Sequence, residues 1–122
     1  GVVSEDRAGL ALAEILDEIG WLRERTANMT FDGYVADRTL RYAVERSIEI
    51  VSEASRRISD EAKAAMPEIP WRAIAGVGNI LRHEYHSVAP RIVWDVVTID
   101  LPALETAITG MLRRRMANPK LE

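Results

Sequence analysis

Apolar positions recur at three- and four-residue spacing along most of the chain, the period of an α-helix that buries one face. Leu12, Ile15, Leu16, Ile19 and Leu22 form the first such stripe and predict a helix from about Glu5 to Ala27, with Ser4 as its cap. Asn28-Met29-Thr30 ends it, and Thr30 caps a short turn around Phe31–Tyr34. Asp37 then caps a second long helix to about Ile58. Its apolar side reads Leu40, Ala43, Val44, Ile48, Val51 and Ala54, and its other face is rich in arginine and glutamate. Ser59 begins a short helix over Asp60–Ala65. Pro67-Glu68-Ile69-Pro70-Trp71 is a rigid corner, and Pro70 opens a helix from about Trp71 to Tyr85. The last stretch runs from about Arg91 to Met116, and Pro102 must kink or split it near Thr98–Leu101, because proline lacks the backbone donor a helix needs.

Short connections between successive helices favour antiparallel neighbours. The pattern therefore predicts an all-α fold, an up-down bundle of four main helices plus a short one. A chain of 122 residues holds one domain, read here as 1–117 with a flexible tail at 118–122. Composition adds little that contradicts this. There is no cysteine, hence no disulfide framework or thiolate metal site. No apolar run is long enough to span a membrane and no signal peptide is evident, which reads as a cytoplasmic protein. The net charge of −3 argues against binding nucleic acid through overall charge. Of the 16 basic residues, only Lys63 and Lys120 are lysine, so the cations are almost all planar guanidinium forks suited to carboxylates and phosphates.

The chemistry concentrates in Asn79-Ile80-Leu81-Arg82-His83-Glu84-Tyr85-His86, which holds both histidines of the chain. On a helix, residues three and four apart share a face, so Asn79, Arg82, His83 and His86 lie together. Imidazole is the side chain suited to proton transfer near neutral pH. Arg82 can hold a phosphate and stabilise developing charge, and Asn79 can orient either group. These are the ingredients of metal-free RNA cleavage through attack of a 2′-hydroxyl on the adjacent phosphate. Other readings stay open. His83 and His86 could share a metal with Glu84, although Glu84 points elsewhere and no fourth ligand is evident. Arg82 could simply pair with an acid such as Asp95 or Asp100. Arg113-Arg114-Arg115 reads as cations favoured at a helix C-terminus.

Several ordered segments resemble the HepT-like branch of the HEPN superfamily. They are Ala43-Val44-Glu45-Arg46-Ser47-Ile48 with Glu53-Ala54, Pro67–Trp71, Ile74-Ala75-Gly76, His83-Glu84-Tyr85, Val93-Trp94 and Asp100-Leu101-Pro102-Ala103-Leu104. The resemblance implies a metal-independent endoribonuclease without a cofactor, working as a homodimer whose motif helices meet at the two-fold axis. It implies a toxin whose partner is a minimal nucleotidyltransferase antitoxin able to adenylylate a tyrosine. Carried across, the proton-transfer residue is His83, the polar residue Asn79 and the modified tyrosine Tyr85, with His86 beside it.

The family's arginine falls at Gly78. Arg82, one turn further on, is read as its relocated replacement. The competing reading is a degenerate subunit that binds the nucleotidyltransferase, nucleotide or RNA without cutting. Glycine inside a helix costs about 1 kcal/mol relative to alanine, and with Gly76 nearby the expected compensation is close helix contact at a dimer interface.

Overall fold

The computed structural model describes residues 2–84 and 89–117. In chain order the helices are α1 (Val2–Thr26), α2 (Phe31–Ala36), α3 (Arg38–Arg56), α4 (Asp60–Ala64), α5 (Trp71–Glu84) and α6 (Pro90–Asp95), then a π-helical turn (Val96–Asp100) that runs into α7 (Leu101–Ala117). Among the described residues there is no strand, and no helix is long and apolar enough to cross a membrane. The all-α bundle expected from the periodicity is what forms.

Three of the four proposed caps are made. Thr30 Oγ1 accepts from the Gly33 amide at 3.0 Å, Asp37 Oδ1 from Leu40 at 2.9 Å and Ser59 Oγ from Ala62 at 3.1 Å. Each satisfies an amide that the first helical turn leaves without a partner. The fourth is corrected: α1 already begins at Val2, so Ser4 lies inside the helix. Pro102 acts as expected, in a specific way. Its ring would collide with the carbonyl four residues back. The π-helical turn places one extra residue before it, and the Leu101 amide bonds to the Val96 carbonyl five residues back.

Leu12, Ile15, Ile19 and Leu22 of α1 are fully buried. They pack with Val44, Ile48 and Val51 of α3 and with Leu104, Ile108 and Met111 of α7. Helix α5 covers the other side of α3, so α3 lies between α1 and the motif helix. Each buried Leu or Ile contributes about 1.5–3 kcal/mol. The ion pairs Arg57–Glu14 and Arg23–Glu105 tie α1 to the end of α3 and to α7 at the surface. Their exposure keeps their contribution small.

Tyr34, read from sequence as part of a turn, is buried with its ring centroid 5.3 Å from that of Trp94. Burial, aided by the Glu45 carboxylate and opposed by Arg41, holds the phenol neutral far above its ordinary titration range. Its hydroxyl has no hydrogen-bond partner among the described residues. An unpaired buried hydroxyl costs about 1–3 kcal/mol. Tyr34→Phe is therefore expected to keep or raise the thermal midpoint, a result calorimetry would reverse only by showing a clear fall.

Glu45 is pushed above the ordinary carboxylate range by partial burial, against the pull of Arg41 and with help from Glu49. A carboxyl raised in the fold favours the folded state while protonated, and that contribution is lost as pH rises through its folded value. Glu45→Gln is accordingly expected to raise stability at neutral pH, with the gain vanishing as pH falls into the ordinary carboxylate range. Urea titrations at pH 7 and pH 4 check this; a gain of equal size at both refutes it.

Candidate active site

Helix α5 is amphipathic, and its sides do different work. Leu81 is buried at 2% exposure, Ile74 and Val77 are half-buried, and these three point into the bundle as their spacing predicts. Arg72, Asn79 and His83 are exposed. With Gly76 they form a single line at i, i+4, i+7 and i+11 along the outer face. Arg82 is also exposed and lies on the edge toward α3, where its Nη1 donates to Glu53 Oε1 at 3.0 Å. The acid that holds Arg82 is thus Glu53, and not Asp95 or Asp100. Its side chain is 41% exposed and that of Glu53 56%, so the pair is screened by solvent and readily exchanged for another anion.

Gly78 is buried. A Cβ added there would stand 2.1 Å from Ser52 Oγ and 2.2 Å from Ser52 Cβ. The expectation of a glycine spared for a dimer interface is therefore corrected. The close contact lies within the chain, between α5 and α3, and the side chain of Ser52 occupies the space. Ser52 Oγ donates to the Ala75 carbonyl at 3.3 Å, which fixes the approach of the two helices. Gly76 differs: a Cβ there meets nothing within 4 Å.

The structure thus puts Asn79, Arg82 and His83 on the exposed side of one helix, with Arg82 at the α3 edge. Tyr85 and His86 lie outside the described residues. Among the described residues no group of three His, Cys, Asp or Glu side chains is placed to hold a metal ion. On the other flank of α5, Ile80 is 47% exposed and Ile92 of α6 56%, and they line a shallow apolar depression with Val77, Leu81, Val93 and Val96.

Ser52 and Glu53 were the residues missed from sequence. Glu53 stands in the Glu-Ala pair that carries part of the family pattern, which was the available signal. Ser52 had none beyond being a small residue beside the apolar stripe.

The family described as ribonuclease HepT-like matches residues 15–111. The chain belongs to the HepT-like ribonuclease family. A Thermococcus cleftensis relative bearing the provisional name ribonuclease HepT is 36% identical over 77% of this chain and 86% of its own. A Caldanaerobacter subterraneus protein named as a candidate RNase is 35% identical over 84% of this chain and 92% of its own. A Methanocaldococcus jannaschii protein, also named as a candidate RNase, is 31% identical over 80% and 89%. No solved structure matches the chain at a significant level. Within this HepT-like frame, Gly78 faces inward against Ser52, and Arg82 is exposed beside His83.

Proposed function

We propose that this chain is a metal-independent endoribonuclease that acts as a homodimer, the toxin of a pair whose antitoxin is a minimal nucleotidyltransferase. The observation that carries the reading is the exposed Asn79–Arg82–His83 side of α5, with Arg82 held at its edge by Glu53. An imidazole, His83, takes the proton of the RNA 2′-hydroxyl. The 2′-oxygen attacks the adjacent phosphorus, the bond to the 5′-oxygen breaks, and an imidazolium returns a proton to that oxygen. The products are a cyclic phosphate and a 5′-hydroxyl. In a homodimer the partner's His83 supplies the second imidazole. Arg82 holds the phosphate and stabilises the charge that builds in the transition state, and Asn79 orients. The exposed Ile80 and Ile92 beside the site suit a surface that a second copy covers. Tyr85 is the site of adenylylation by the antitoxin, and His86 assists binding next to it.

The test is RNA cleavage by the purified protein in excess EDTA, set against His83→Ala. A reduction of about 10²–10⁴-fold is expected for loss of a general acid–base group. Equal residual cleavage by both proteins rejects the assignment.

A second reading has an observation of its own. Ser52 fills the space at Gly78, so no arginine fits where the family motif has one. On that reading the chain is a binding subunit that docks the nucleotidyltransferase, nucleotide or RNA without cutting.

A further inference from the structure

The arginines along and just beyond α3, and those of α5, are not equally engaged. Arg46 pairs with Glu49, Arg57 with Glu14 and Arg82 with Glu53. Glu53 stands three residues before Arg56 on α3, a spacing at which the two would ordinarily pair. It is instead bonded to Arg82, and Arg56 makes no ion pair among the described residues. Arg56 reaches across to α5, where its Nη2 donates to the Ala75 carbonyl at 3.4 Å. That carbonyl lies within one turn of Arg72, which is exposed and also without an ion pair among the described residues. The Ala75 carbonyl that Arg56 reaches and Arg72 itself therefore lie within one turn of α5, and neither arginine bonds a carboxylate among the described residues. Guanidinium groups left without a carboxylate partner are suited to binding phosphate.

This turn continues the line Arg72–Gly76–Asn79–His83. Ala75 precedes His83 by eight residues, about 12 Å along the helix axis. At Gly76, between the two ends, an added Cβ meets nothing within 4 Å, so an extended chain can lie close against the helix there.

We propose that Arg56 and Arg72 form a second phosphate subsite, which holds the backbone of single-stranded RNA away from the scissile phosphate and lays the strand along α5 toward His83. The inference rests on the ribonuclease reading of the same helix. The subsite binds phosphate by charge and geometry and reads no base, so it contributes affinity and direction but not sequence preference. It also offers an acidic chain a local route to RNA: Arg56, Arg72 and Arg82 stand along α5 although the net charge is −3.

The experiment measures binding of a short fluorescein-labelled oligouridylate to full-length protein carrying His83→Ala, which prevents cleavage, over a range of salt concentrations. Arg56→Gln and Arg72→Gln are each expected to weaken binding severalfold at low salt. Each lost contact lowers the slope of log affinity against log salt by about 0.7. The double variant should lower it by about twice that, with the thermal midpoint and the light-scattering mass unchanged. If the parent binds RNA and Arg82→Gln weakens it, while the Arg56/Arg72 double variant binds as the parent does, the subsite is refuted and the ribonuclease reading stands. If the parent binds no RNA, both fall. Dissociation of an oligomer in the double variant, in step with the lost binding, also overturns the proposal, because the arginines would then be interface groups.

Discussion

Arg82→Ala is expected to lower the rate of the proposed RNA cleavage by about two to three orders of magnitude, the loss typical when one preorganised group that stabilises transition-state charge is removed. The size follows from where the charge develops. As the 2′-oxygen attacks, negative charge grows on the non-bridging phosphate oxygens, and a guanidinium can meet two of them with parallel N–H donors. Nη1 of Arg82 donates to Glu53 in a solvent-screened contact, and the remaining donors are available to a phosphate. Arg82→Lys is expected to recover little, since an ammonium is a point charge on a flexible stem and cannot present the fork. Glu53→Gln keeps a hydrogen-bond acceptor but removes the competing charge, so it should leave kcat within a fewfold while lowering KM. Single-turnover and steady-state rates on one RNA separate these effects. Cleavage by Arg82→Ala equal to that of the unaltered protein would remove Arg82 from the mechanism.

The assignment of Arg82 depended on the fold in a way that shows what periodicity can and cannot deliver. Thr30, Asp37 and Ser59 were recognisable as caps because a short polar side chain before an apolar period has one common use at a helix start. Pro102 announced a break because its chemistry is local, although the form of that break, a π-helical turn over Val96–Asp100, was not foreseeable. The outer face of α5 was equally legible, since the directions of Asn79 and His83 follow from the helical period alone. The contacts across helices were not. Glu53 is one of many exposed acids, and only the placement of α3 beside α5 selects it over Asp95 or Asp100 as the partner of Arg82. Tyr34 was hidden for the same reason, because a residue of a six-residue helix becomes core only when α3 and Trp94 close over it. Ser52, Ser47 and Ser55 are buried on α3 despite being polar. Each has a partner: Ser47 donates to Glu18 Oε1 at 2.6 Å, Ser52 to the Ala75 carbonyl at 3.3 Å and Ser55 to the Ser52 carbonyl at 2.6 Å. With those bonds made, small side chains let helices approach closely without leaving a polar atom unpaired.

Gly78→Ala is expected to destabilise the protein, reversing the ordinary sign of that change. In an unobstructed helix the substitution gains about 1 kcal/mol, because glycine pays more backbone entropy. Here the new Cβ would stand 2.2 Å from Ser52 Cβ, an atom fixed directly to the backbone of α3, so the two helices must separate. Overpacking of this kind costs about 1–3 kcal/mol and sometimes more. Gly78→Arg carries the same collision and adds a long charged side chain at a buried position, so its loss should exceed that of alanine. Ser52→Gly removes both offending atoms and leaves only Ser52 Cα, 3.7 Å from the added Cβ. The double variant Ser52→Gly/Gly78→Arg should therefore recover the part of the Gly78→Arg loss that comes from the collision, less about 1 kcal/mol for a glycine within α3. Urea denaturation of the two single variants and the double variant measures this coupling directly, and strict additivity would show that the pair is not in contact. The same proteins separate the two functional readings. Cleavage that appears only when arginine is seated at position 78 marks the native chain as a binding subunit. Cleavage already present in the native chain, and little raised by the double variant, shows that Arg82 supplies the cation that position 78 has no room to hold.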